Sequence, residues 1–229
     1  MRIVNCLYGY LWRGRDNNCN SYLFTNCLEG GKHVLIDPGH IVTPMLREPA
    51  LDGLIKEIEK DGLRIGDIGL IILTHGHIDH CQAVPDLIKK TKALLYLSEK
   101  DKEIAEMMGV KLKLNRYLKE GQLIFEGENK VILEIYYTPG HSPGSISIYW
   151  PEKKVLIPGD VIFYRGVGRT DFPTGSIKLL KQSIERLSQL DIEYLLPGHN
   201  YNFPPNHLGY LRGKEEIEQN FVFIKRTYF

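Results

Sequence analysis

Three apolar runs of strand length each end in a histidine. Ile71-Ile72-Leu73 leads into Thr74-His75-Gly76-His77, Ile135-Tyr136-Tyr137 into Thr138-Pro139-Gly140-His141, and Tyr194-Leu195-Leu196 into Pro197-Gly198-His199. A fourth, Val155 to Ile157, runs into Pro158-Gly159-Asp160 in the same way. Open α/β sheets place their ligands just past the carboxyl ends of strands, so this repeat constrains the chain to a sheet fold in which four strand ends meet at one site. Strands come first and helices between, twice over, which predicts an α+β chain with two sheets packed face to face and helices outside.

Strands are expected at Ile3–Tyr8, Ser21–Thr25, His33–Ile36, Gly69–Leu73, Ala93–Leu97, Leu123–Phe125, Val131–Tyr137, Ser145–Trp150, Val155–Ile157, Val161–Tyr164 and Ile192–Leu196. Leu51, Leu54, Ile55 and Ile58 follow a helical period and end near Gly62. Pro85 begins or kinks a short helix. Ser98 with Asp101 three residues on resembles a capping box for a helix through Ile104, Met107 and Met108 that Gly109 stops. Ser176 caps a helix carrying Ile177, Leu180, Ile184 and Leu187 on one face. No linker divides the chain, so residues 1–229 are expected to form a single domain.

Thr74 to His80 holds four candidate metal ligands in six consecutive positions. In extended backbone, residues two apart point the same way, so His75 and His77 can face one ion while Gly76 removes the side chain between them. A helical turn starting near Asp79 then aims that carboxylate and His80 a few ångströms away, and one heptapeptide can serve two metals. Imidazole and carboxylate suit zinc, iron or manganese, and the motifs hold no cysteine pair of the kind that closes a structural zinc site. Five of the eight histidines lie in these motifs; His33, His40 and His207 lie elsewhere, and His40 and His207 are read as ordinary.

With a formal charge of +1 and no basic stripe, the chain offers nothing that matches nucleic acid. No apolar run reaches the length of a bilayer span, and no leader pattern opens the chain, so no membrane partner and a cytoplasmic location are expected. Cys6, Cys19, Cys27 and Cys81 form no CxxC pair and are read as thiols, Cys81 as a small buried filler.

His75-x-His77-x-Asp79-His80 followed in order by His141, Asp160 and His199 resembles the metallo-β-lactamase superfamily across essentially the whole chain. The resemblance implies a four-layer αβ/βα sandwich with its metal site at the edge between the two sheets. By motif, one ion takes His75, His77 and His141, the other Asp79, His80 and His199, and Asp160 bridges; Asp37 of Asp37-Pro38-Gly39 supports them from behind. The expected cofactors are two divalent ions, zinc first, with iron or manganese as alternatives. Two such ions bring +4, two carboxylates −2 and a bridging hydroxide −1, which leaves roughly +1 to favour an anionic tetrahedral intermediate. Asp79 is the candidate catalytic residue, orienting the attacking water or accepting its proton.

Gly168-Arg169-Thr170-Asp171-Phe172 is similar to a signature of glyoxalase II-like thioester hydrolases and of the related persulfide dioxygenases, in which Arg169 and Asp171 would brace Asp160 and the rim. Only 229 − 199 = 30 residues follow His199, too few for the helical domain with which glyoxalase II holds glutathione. Tyr201 and Tyr164 are candidate donors to substrate, and the aromatic stretch Phe221 to Phe229 is assigned to packing on the body of the chain or on a second copy, as in a homodimer. The first expectation is a binuclear hydrolase of a small, anionic thioester or ester. The alternatives are a mononuclear iron persulfide dioxygenase using His75, His141 and Asp160, a lactonase, and a non-catalytic metal-binding module.

Overall fold

Residues 68–72 form a strand whose side chains are buried on both faces, as a continuous apolar run requires. In the computed structural model, which describes residues 1–204 and 206–229, this strand lies within the first of two compact units. That unit comprises Met1–Leu118 with Ile124–Val131; the second comprises Lys119–Leu123 with Ile132–Phe229.

The first unit carries strands β1 (Arg2–Val4), β2 (Leu7–Tyr10), β3 (Ser21–Leu28), β4 (Lys32–Ile36), β5 (Ile68–Ile72), β6 (Leu94–Leu97) and β7 (Arg116–Tyr117), in that order across one sheet. Pairing is antiparallel from β1 to β4 and parallel from β4 to β7. Helices α1 (Ala50–Lys60), α2 (Ile78–Cys81), α3 (Val84–Thr91) and α4 (Glu99–Met107) complete it. Leu51, Leu54 and Ile58 of α1, with Val84 and Leu87 of α3, bury against Leu35, Ile71 and Leu95 in one cluster. Each fully buried aliphatic side chain contributes about 1.5–3 kcal/mol. Cys81 is fully buried in the same cluster, and burial pushes its thiol up to about 12.

Ser98 directly precedes α4 but makes no side-chain cap bond. Asp101 does not close a capping box either: its carboxylate accepts from the backbone N–H of Gly76 at 3.0 Å. The helix stops at Met107, ahead of Gly109 with φ +83°.

Strands β8 (Gly121–Glu126) and β9 (Lys130–Tyr137) are divided between the two units, and the second also has β10 (Ile146–Trp150), β11 (Val155–Gly159), the two-stranded pair β12 (Ile162–Phe163) and β13 (Gly166–Val167), β14 (Tyr194–Pro197) and β15 (Leu211–Arg212). The main sheet runs β15-β14-β11-β10-β9-β8, with β11 and β14 parallel. Helix α5 (Ile177–Leu187) starts at Ser176, whose Oγ accepts from Leu179 N at 3.3 Å. Leu180, Ile184 and Leu187 are buried, but Ile177 is 49% exposed because it is the first helical residue and overhangs the end of the apolar stripe.

The aromatic C-terminal stretch belongs to a helix not anticipated from sequence, α6 (Lys214–Tyr228), which buries Ile217, Asn220, Phe221 and Ile224 at helical spacing. Phe223 and Tyr228 face solvent. No disulfide joins the four cysteines, all of which are buried. Among the described residues no helix is long and apolar enough to cross a membrane.

Candidate metal centre

In the first unit, parallel pairing sets Ile36 of β4 beside Ile72 of β5. The two strand ends therefore deliver Asp37 and Thr74 side by side. Asp37 has φ +50°, an uncommon conformation for a residue with a Cβ. Its carbonyl is held there by Ser21 Oγ at 2.6 Å and Cys19 Sγ at 3.5 Å. Its carboxylate accepts three bonds, from Thr74 N at 2.8 Å, Thr74 Oγ1 at 2.6 Å and His80 Nδ1 at 2.9 Å.

These bonds fix the histidine tautomers by elimination. A carboxylate only accepts, so His80 carries its proton on Nδ1 and presents Nε2 as the lone-pair nitrogen. The Thr74 hydroxyl spends its proton on Asp37 and accepts from His75 Nδ1 at 3.0 Å, which gives His75 the same tautomer. Fixing Nδ1 so that Nε2 can ligate is how proteins prepare imidazoles for metals.

His77 is extended, with φ −68° and ψ 148°, and α2 starts directly after it at Ile78. The His75 ring lies 4.8 Å from that of His77 and 4.0 Å from that of His80, centroid to centroid. Ligand atoms of Asp79 and His80 lie within 4.8 Å of each other. Gly76 is obligatory for steric reasons: a Cβ there would sit 2.0 Å from the carbonyl oxygen of Asp101. Asp79 is half-buried, and Asn17 Nδ2 donates to its Oδ2 at 2.7 Å.

In the second unit three separate strand ends supply the donors. His141 follows β9 through a turn closed by Thr138 N to Ser145 O and Gly140 N to Ser142 O. Its Nδ1 donates to the backbone carbonyl of Arg169 at 2.8 Å, so its Nε2 also carries the lone pair. Asp160 and His199 follow the parallel neighbours β11 and β14, tied by Gly198 N to Gly159 O at 2.9 Å. Asp160 Oδ2 lies 3.6 Å from His141 Nε2 and 3.3 Å from His199 Nε2.

A lone-pair nitrogen aimed at a carboxylate oxygen is reconciled by a cation between them, and an imidazole and carboxylate donor set suits a divalent one. The donor chemistry of these residues thus fits a divalent metal.

The remaining predicted residues fall as follows. The Arg169 guanidinium does not brace Asp160 as expected. It forms a bidentate pair with Asp171 at 2.9 and 2.7 Å and lies over the Phe172 ring, and the segment steadies His141 through the Arg169 carbonyl instead. That pair holds Asp171 below the usual carboxylate range, by the hydrogen bond first. The Tyr201 ring stacks on His199 at 4.6 Å with an interplanar angle of 5° and is 45% exposed. Tyr164 stacks on Phe203. His40 is buried with Nδ1 on Gln82, and His207 accepts from Gly209 N, so both serve local structure. Sequence reasoning missed the roles of Asn17, Thr74 and Asp101: the Asn17-Asn18 pair reads as a break between strands and Asp101 as part of a capping box.

A chain with such strand-end histidine and aspartate sets is a metal-binding protein of the metallo-β-lactamase type. Residues 14–199 match the model of the metallo-β-lactamase superfamily, and the chain belongs to it and has its α+β fold of mixed sheets and helices. A probable metallo-hydrolase of Methanocaldococcus jannaschii is 36% identical over 206 residues, 84% of this chain and 89% of that protein. A hydroxyacylglutathione hydrolase of Haemophilus influenzae is 34% identical over 161 residues, 66% of this chain and 70% of that enzyme. A protein crystallised in a di-iron-bound form shares 30% identity at a TM-score of 0.65, over 91% of this chain and 93% of its own.

Proposed function

We propose that this chain is a metal-dependent hydrolase of a small thioester or ester. In this reading His75, His77 and His141 hold one divalent ion, Asp79, His80 and His199 a second, and Asp160 is shared. The observation that carries it is the preparation of the second-ion pair. Asn17 fixes one oxygen of Asp79 and Asp37 fixes the proton of His80, two hydrogen bonds that a one-ion centre would not need. Family membership and the similarity to a hydroxyacylglutathione hydrolase support the thioester class.

When bound, divalent ions supply a water acidified toward a pKa of about 7 and polarise the scissile carbonyl. The protein's own groups do the rest. Asp37 and Thr74 hold His75 and His80 in the ligating tautomer. Asp79, with Oδ2 on Asn17, orients the attacking water or takes its proton. Tyr201, stacked on His199 and 45% exposed, is the proposed hydrogen-bond donor to substrate. Zinc is the first choice of metal, with iron supported by the di-iron relative.

The test is turnover of a thioester, lactone and glutathione persulfide panel by the wild type and Asp79→Ala. The reading predicts thioester or ester cleavage that falls at least a hundredfold in the variant. Oxygen consumption with the persulfide, undiminished in Asp79→Ala, would establish the mononuclear dioxygenase reading instead.

A further inference from the structure

Helix α4 opens on residues that ordinarily cap a helix and here do not. Ser98 stands at the N-cap with extended backbone, and Asp101 follows at the third helical position, the two halves of a reciprocal cap. Ser98 Oγ nevertheless is buried and makes no hydrogen bond. A buried hydroxyl without a partner weakens a fold, and an N-cap serine that accepts no amide gives its helix nothing in return.

Asp101 is fully buried, and a carboxylate withdrawn from water needs hydrogen bonds to offset the loss. Its Oδ2 accepts from Gly76 N at 3.0 Å, 25 residues back in the chain. The backbone of α4 presses on the same glycine: a Cβ at Gly76 would lie 2.0 Å from the Asp101 carbonyl oxygen and 3.0 Å from Ala105 N. At the next peptide, Cys81 Sγ donates to the Gly76 carbonyl at 3.5 Å. Both peptides that join His75 to His77 are therefore held, one at its N–H by a carboxylate and the other at its C=O by a thiol. A helix whose capping serine goes unused while its acid serves a distant glycine breaks a local rule, and such breaks are expected at functional sites.

We infer that Asp101 is a positioning residue for metal binding: by fixing the peptide between His75 and Gly76 it sets the spread of the His75 and His77 rings, whose centroids lie 4.8 Å apart. This rests on the reading that the two histidines share an ion, and not on the reaction proposed for that ion. The division of labour is clear. Asp37, directly and through Thr74, fixes the protons on His80 and His75. Asp101 fixes the backbone from which His75 and His77 project. An acceptor at Asp101 is what the role requires, so a carboxamide, which keeps a carbonyl oxygen, should largely replace the carboxylate.

The experiment measures cobalt(II) affinity by competition with a chelator, and the ligand-field absorption of the cobalt-loaded protein, in the wild type, Asp101→Ala and Asp101→Asn. Melting temperature checks the fold of each. Asp101→Ala is expected to weaken cobalt binding about 10–100-fold and to change the absorption spectrum. Asp101→Asn is expected to stay within about threefold of the wild type, a neutral acceptor being weaker than a charged one. If Asp101→Ala does not fold, Asp101→Ser takes its place, its hydroxyl standing one bond short of the carboxylate oxygen, and the same loss is expected.

Unchanged affinity and spectrum in the folded Ala or Ser variant would confine Asp101 to the stability of α4 and overturn the inference. A loss in Asp101→Asn as large as in Asp101→Ala would also overturn it, by assigning the effect to charge. Ser98→Ala should leave cobalt affinity and melting temperature as they are; a fall in melting temperature matching that of Asp101→Ala would return both residues to capping and count against the role. A wild type that takes up no cobalt overturns the metal reading and this role together. Weakened cobalt binding in Asp101→Ala, with no thioester cleaved by any of the proteins, supports the role and overturns only the hydrolase reading.

Discussion

His75, His77, Asp79 and His80 come from six consecutive positions at one strand-to-helix junction, whereas His141, Asp160 and His199 come from the ends of three different strands. The first set owes its geometry to local backbone: a glycine, the extended His77 and a helical turn. The second owes it to sheet register, since Asp160 and His199 are neighbours only because β11 and β14 pair in parallel with Gly159 opposite Pro197. One set is robust to slippage between strands and sensitive to its braces. The other needs few braces and is sensitive to register.

The comparison is broken most severely at the register-dependent set. A Cβ at Gly198 would lie 2.2 Å from Asp160 Oδ1. Gly198→Val should displace that carboxylate, with a loss of turnover on the order of a hundredfold or more and a fall in bound metal at a melting temperature that still reports a folded protein.

Next comes the brace of the local set. Asp37→Ala strips acceptors from Thr74 N, Thr74 Oγ1 and His80 Nδ1 at once. Metal affinity, read by competition with a chelator, should fall roughly 10–100-fold. Stability should fall by about 1–3 kcal/mol for each buried donor left without its acceptor.

A smaller effect is expected at Asn17. Asn17→Ala removes the exposed bond to Asp79, so kcat/KM should drop only about fivefold, in line with about 1 kcal/mol for a hydrogen bond. A drop as large as that of Asp37→Ala would mean that the local set depends on remote braces as heavily as the other depends on register.

The smallest effect is on acid stability. The Asp16 carboxyl titrates near 2 in the folded chain, below its ordinary value of about 3.9. Its contribution is therefore fully present above about pH 4 and is lost as pH falls toward 2. Asp16→Asn should flatten that part of the acid unfolding curve, followed by circular dichroism.

The contrast also explains what the sequence could and could not reveal. Histidines at fixed spacing after apolar runs were legible because the chemistry and the strand end sit in the same few residues. So were α1, α5 and β5, whose apolar periods are clean. Asn17 was not legible, because its partner Asp79 lies 62 residues away and no local pattern links them. Asp101 carried a misleading signal: an acid three residues after serine reads as a cap, yet β5 and α4 come together so that it serves Gly76. The hold on His141 comes from a carbonyl, and a backbone partner leaves no mark on residue type. In α6, aromatic residues on the exposed side blur the period that Ile217, Phe221 and Ile224 trace on the buried one.

Metal content per chain, measured in protein purified without added metal and then reconstituted, tests the central claim that the two sets together serve a binuclear hydrolase. The account predicts about two divalent ions in the wild type and about one in Asp79→Ala, with thioester or ester turnover lost alongside the second ion. One bound iron in both proteins, with activity intact in the variant, would contradict it.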